Sequence, residues 1–167
     1  MVVFAWALLI QPAFADDEAL TTRVKVGDAA PDFSCQTISG EQFSLSGQRG
    51  KVVLVNFFAT WCGPCMVEMP QLDKEVFQKF ASRKDFKLVA IGREHSAAEL
   101  TKFNSEKGFT IPIAPDPKRE IYAKYADKYI PRNFVIGKDG KIKLTTVGFS
   151  PEDLQRISQT IQQELDK

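Results

Sequence analysis

The sequence predicts an α/β domain, a central mixed sheet flanked by helices, with an N-terminal β-hairpin in front and a helical insert in the middle. Three observations carry this expectation. Two apolar runs, Val52–Phe58 and Phe86–Ile91, read as buried strands. Apolar residues at helical spacing lie between them, and a β-α-β start implies parallel strands joined by a right-handed crossover. Asp139-Gly140 then joins two later strand segments as a hairpin, which adds an antiparallel edge. A chain of 167 residues has room for one domain with a full core.

Taken in order, residues 16–25 form a polar, extended lead-in, and the domain spans 26–167. Gly27 and Pro31 keep its first stretch turn-like. Phe33 to Ser46 alternates around Ser39-Gly40, a hairpin signal. Val52–Phe58 is broken only by Asn56. After Cys62-Gly63-Pro64-Cys65 the period changes, and Met69, Leu72, Val76, Phe77 and Phe80 fall on one helical face. Ser96-Ala97-Ala98-Glu99 is a capping box opening the insert helix, and Gly108 lies where that helix should stop. Pro112, Pro115 and Pro117 predict an irregular connection, followed by a short helix with Ile121 and Tyr125. Asn133–Ile136 and Ile142–Val147 read as strands. Ser150-Pro151-Glu152-Asp153 opens the last helix with a cap, a proline and first-turn acids. Its Leu154, Ile157, Ile161 and Leu165 form one apolar stripe.

Composition excludes several function classes. Lys and Arg number 22 against 21 Asp and Glu, a formal charge of +1, so nothing draws the chain to nucleic acid or to an anionic membrane surface. Three Cys cannot build a disulfide framework, and a single His leaves little for a His-rich metal site. Residues 2–10 are apolar and are followed by Ala13-Phe14-Ala15, the pattern of a signal peptide over residues 1–15, although no Lys or Arg precedes the run. The run falls short of the ~20 residues that span a bilayer. A strand or helix fragment is the alternative. Export implies a periplasmic location, where disulfides persist.

The chemistry centres on Cys62 and Cys65. A strand leads into them and a helix leaves them, which puts Cys62 at a helix N-terminus. Unpaired N–H groups and the helix dipole favour an anion there, and a thiolate is that anion. Cys62 can attack a partner disulfide, and Cys65, one turn on, can then release the reduced partner. Pro64 presets φ where its missing N–H costs nothing. A structural disulfide is one alternative. A zinc site from Cys35, Cys62, Cys65 and His95 is another, but those residues lie on separate elements without a second close-spaced pair.

Trp61-Cys62-Gly63-Pro64-Cys65 at a strand-to-helix junction resembles the thioredoxin active site. Pro70 matches the kink proline of that family's active-site helix, and Ile130-Pro131 resembles its cis-proline loop. The likeness extends to the exported TlpA/ResA group through Val26-Gly27-Asp28-Ala29-Ala30-Pro31-Asp32-Phe33, the helical insert, and Cys62-x-x-Cys65-x-x-Glu68-x-Pro70. This resemblance implies a thioredoxin-like fold and an exported thiol–disulfide oxidoreductase acting as a reductant, apocytochrome c among its substrates. It implies a membrane thiol-electron donor of the DsbD/CcdA kind, no cofactor, no metal, no nucleic acid and a monomer. By the same resemblance Cys62 and Cys65 are catalytic. Trp61, Gly63, Pro64, Ile130 and Pro131 line the substrate site, with the Ile130 backbone pairing to the substrate strand.

Asn56 stands where cytosolic thioredoxin has a buried Asp linked to proton transfer, and an amide cannot take that proton. Glu68, three residues after Cys65 on the same helical face, is the expected substitute, catalytic as a base if buried. A solvated first-turn Glu is the alternative. Cys35 is expected as a small buried residue and His95 as surface or helix-start packing. Two other functions stand beside the leading one. A peroxiredoxin-like peroxidase shares the Gly27–Phe33 lead-in but needs a Pro before its Cys that residues 56–61 lack. A thioredoxin-fold chaperone or binding module would not need an intact dithiol.

Overall fold

The computed structural model describes residues 20–167. The segment read as a signal peptide, 1–15, and residues 16–19 of the lead-in lie outside the described residues. Strand β1 (Ser34–Gln36) pairs antiparallel with β2 (Gln42–Ser44), and Gly40 at φ 90° turns the chain between them.

Strand β3 (Val52–Phe58) is buried at every residue because it is the middle of a five-stranded sheet. One neighbour is β4 (Phe86–Arg93), parallel to it. The other is β6 (Arg132–Ile136), antiparallel to it. Strand β5 (Ile113–Asp116) lies parallel outside β4, and β7 (Ile142–Val147) antiparallel outside β6. The fold is thioredoxin-like: a mixed sheet between helices, with the N-terminal hairpin and the insert helix where the sequence predicts them.

Alternation along β3 splits the core in two. Leu54 and Phe58 face a cluster with Cys65, Met69, Leu72, Leu100, Ile157 and Ile161. Val53, Val55 and Phe57 face Phe33, Phe43, Tyr122, Tyr125 and Phe134. Helix α1 starts as Gly63–Gln71, passes through a π-helical stretch, Leu72–Phe77, and ends as Gln78–Phe80. Pro70 supplies no N–H to the helix ladder, and the wider turn begins two residues after it. The π turn leaves Phe77 only partly buried, while Met69, Leu72, Val76 and Phe80 keep the predicted face. The buried Asp73 on that turn accepts from the Thr110 backbone N–H at 2.7 Å and ties α1 to the loop after the insert helix.

The insert helix, α2 (Ala97–Lys107), has both halves of its capping box and ends at Gly108, φ 71°. Helix α3 (Tyr122–Tyr125) is the expected short one. Helix α4 (Pro151–Leu165) is capped by Ser150, whose side chain accepts from the Asp153 N–H. One element differs from expectation. The proline-rich stretch holds β5 rather than an irregular connection. It is an edge strand, where Pro115 removes no ladder bond the sheet needs.

Gly92 in β4 is where α2 closes on the sheet. A Cβ there would come within 2.7 Å of both Leu100 methyl carbons. Gly92→Ala is expected to destabilise the fold by about 1–3 kcal/mol, the usual cost of overpacking. Urea denaturation should show a lower midpoint at unchanged slope, and Leu100→Ala should cancel part of the Gly92→Ala penalty rather than add to it.

Candidate active site

The chain leaves β3 at Phe58 and enters α1 with Cys62 as the N-cap residue, in extended conformation (φ −87°, ψ 108°). Cys62 and Cys65 form a disulfide, their Cα atoms 5.2 Å apart. The Cys65 N–H donates to Cys62 Sγ at 3.3 Å, so one of the helix's unpaired donors is spent on this sulfur. Cys65 is fully buried, whereas Cys62 keeps 6% of its surface exposed. Solvent therefore reaches Cys62 and not Cys65. Gly63 opens the helix with nothing near its missing Cβ, and Pro64 sits in the first turn.

The loop before β6 completes the cleft. The Ile130–Pro131 peptide is cis, and the Ile130 carbonyl oxygen lies 3.6 Å from Cys62 Sγ. The Pro131 carbonyl accepts from the Gly148 N–H at 2.9 Å, which anchors the loop to the end of β7. Trp61 is exposed beside the disulfide, and the Arg93 guanidinium lies over its ring at 5.5 Å and over Tyr122 at 5.0 Å. The structure thus brings Trp61, Cys62, Gly63, Pro64, Cys65, Ile130 and Pro131 to one end of the sheet.

Glu68 is buried on α1, 2% exposed, and not solvated. Its Oε2 accepts from Asn56 Nδ2 at 2.9 Å and its Oε1 from Asn133 Nδ2 at 2.6 Å. Burial pushes the carboxyl up from 4.5 to about 7. The two amide bonds act against that rise, and Asp153 across the site reinforces it. A carboxyl near neutrality can both take and return a proton at working pH.

Two further residues are now placed, and one expectation, that for Cys35, needs correction. Of the two places expected for His95, surface or helix-start packing, it takes the buried one. Its Nε2 accepts from the Thr60 backbone N–H at 3.0 Å, so it braces the turn that carries Cys62. Cys35 is half-buried rather than buried, because the β1–β2 hairpin covers one edge only. Burial, with Asp116 nearby, pushes its thiol up to about 11 and leaves it a poor nucleophile. Asn133 and Thr146 were not singled out from sequence. The signal for Asn133 was present: it is a polar residue inside an otherwise apolar strand, as Asn56 is.

Comparison with known proteins points to one family. The Redoxin family profile matches residues 25–161. The thiol-disulfide oxidoreductase ResA of Bacillus thuringiensis is 31% identical over 140 residues, 84% of this chain and 78% of that protein. Among solved structures, a proposed protein disulfide isomerase from Bacteroides thetaiotaomicron is similar at TM-score 0.84 and 37% identity, covering 88% of this chain and 94% of its own. A proposed thiol:disulfide interchange protein DsbE from Chlorobium tepidum follows at TM-score 0.73 and 32% identity, covering 85% and 99%. A redox-capable Cys pair at the head of a helix, on this fold and with these relatives, makes the chain a thiol–disulfide oxidoreductase that belongs to the TlpA/ResA-type thioredoxin-like proteins of the Redoxin family.

Proposed function

We propose that this oxidoreductase is exported to the periplasm and there reduces disulfides of exported proteins, apocytochrome c among them. The observation that carries the reading is the placement of Cys62: helix N-cap, accepting the Cys65 N–H, buried but for 6% of its surface, and 3.6 Å from the Ile130 carbonyl oxygen. The N-terminal dipole and that N–H favour its thiolate. Cys62 attacks a substrate sulfur and expels the other as a thiolate, forming a mixed disulfide. Cys65, deprotonated by Glu68, then attacks Cys62, which closes the Cys62–Cys65 bond and frees the reduced substrate. Two electrons pass from the dithiol to the substrate.

Trp61, Gly63 and Pro64 form the apolar approach to Cys62. The Ile130 backbone, set by Pro131, pairs with the substrate strand. The Gly63-Pro64 dipeptide, like that of reducing thioredoxins, favours reduction as the direction. Residues 1–15 serve as export signal, 16–25 as lead-in and 26–167 as the catalytic domain, acting as a monomer. An oxidising compartment demands resupply of electrons, here from a membrane thiol carrier of the DsbD/CcdA kind. Among the described residues, no helix is long and apolar enough to cross a membrane.

The pre-reduced protein should reduce both insulin and an oxidised Cys-x-x-Cys-His peptide, the pattern to which haem is attached. Thiol release from each is the readout. Failure on both would leave a thioredoxin-fold binding module. Reduction of insulin alone would remove apocytochrome c from the substrates.

A further inference from the structure

Strands β3, β6 and β7 lie side by side, and their register sets three polar residues in one row. Asn56 is opposite Asn133, and Asn133 is opposite Thr146. All three are buried under the helix that carries Glu68. Residues directly opposite in a sheet share a face, so the row presents its side chains to the same side. Four hydrogen bonds connect it. Besides the two bonds to Glu68, Asn56 Nδ2 donates to Asn133 Oδ1 at 2.8 Å, and Asn133 Nδ2 reaches Thr146 Oγ1 at 3.2 Å.

The arrangement favours the carboxylate over the row's own satisfaction. Asn56 spends its amide N–H groups on Glu68 and Asn133, while its Oδ1, buried, meets no donor among the described residues. Here both carboxylate oxygens receive an amide donor, and an amide donor bonds better to a charged oxygen than to a neutral one. Asn133 occupies the centre of the network: it touches Glu68, Asn56 and Thr146.

We propose that Asn133 is a positioning residue which, with Asn56, orients the Glu68 carboxylate and favours its charged form, so that it can take the proton of Cys65. The inference rests on the reading of Glu68 as proton acceptor and adds what controls it. Cys65 lies three residues before Glu68 on the same helical face, and Asp153 at the start of α4 is the charged group that acts on Glu68. Asp153 disfavours the charge, and its own partners are Ser150 and Arg156. None of these donates a hydrogen bond to the Glu68 oxygens, so the two amides are the donors that set the balance.

Asn133→Leu keeps the branched shape of the side chain and removes the donor. A carbon-13 titration of the Glu68 carboxyl, assigned with Glu68→Gln, should show its half-point move up by about one pH unit. Resolution of the mixed disulfide at a fixed pH below that point should slow about tenfold, since one pH unit is a factor of ten in the charged fraction. In a Glu68→Gln background, Asn133→Leu should leave the pH profile unmoved. An unchanged half-point, or an equal shift of the profile without Glu68, overturns the proposal. Asn133→Ser keeps a short hydroxyl donor. Should the Leu variant not fold, the Ser variant must shift the half-point in the same direction by less, and no shift overturns the proposal equally. If Glu68→Gln alone leaves the pH profile intact, the proton-acceptor reading fails, whereas the carboxyl titration still judges Asn133.

Discussion

Cys65→Ala should convert the protein into a covalent trap. Cys62 remains the helix N-cap with its dipole, so the first attack still occurs. It breaks the substrate disulfide, joins one substrate sulfur to Cys62 and expels the other. The variant has no second thiol within reach to reverse the bond. Cys35 does not substitute, because it sits on the hairpin and its thiol is held up at about 11. Turnover should fall below detection while dithiothreitol-sensitive adducts accumulate. Non-reducing electrophoresis of extracts from cells that express the variant, with and without Cys62→Ala added to the same chain, reads the outcome. The double variant should form no adduct. If Cys62→Ala alone is the better trap, attacker and resolver are reversed, and the 6% exposure of Cys62 against none for Cys65 has misled.

Most of the sheet was legible because burial on both faces writes an apolar run with at most a single polar interruption. Val52–Phe58 and Phe86–Ile91 are such runs, and each is a strand between neighbours. The dithiol's setting was legible too, since a strand ending just before Cys-Gly-Pro-Cys and a helical period starting just after it can mean only a helix N-terminus. Strand β5 was not legible. Edge strands need no alternation, and Pro115 reads locally as a breaker. The row under Glu68 was hidden for another reason. Asn56 and Asn133 are far apart in sequence, and their meeting depends on antiparallel pairing of β3 with β6, which no local pattern states. Glu68 alone could have been a solvated first-turn acid. What decides otherwise is that α1 lays it over two buried amides. His95 illustrates the same limit, because its burial depends on the turn at Thr60 folding back over the end of β4.

Glu68→Gln is expected to slow resolution by ~10²–10⁴-fold near neutral pH, the usual contribution of a positioned base. Gln keeps size and polarity but cannot accept the Cys65 proton. Attack by Cys62 should change little, since its thiolate depends on the helix N-terminus and the Cys65 N–H. Mixed disulfide should therefore accumulate, and rate should recover as pH approaches the ordinary thiol value of ~8.5, where Cys65 ionises unaided. The wild type should instead lose rate as pH falls through about 7, where Glu68 takes up its proton. Stability provides a separate reading with the opposite sign. Burial raises Glu68 above its unfolded value, so the folded state binds that proton more tightly than the unfolded chain. Its contribution is full below about pH 4 and is lost as pH rises through about 7. Gln has no such proton, so this part of the pH dependence should vanish from urea midpoints measured between pH 4 and 8. A Glu68→Gln protein that resolves mixed disulfide at the wild-type rate from pH 6 to 8, yet shows the flattened stability profile, would make Glu68 a buried acid without a catalytic proton. The route from Cys65 would then have to run through another group.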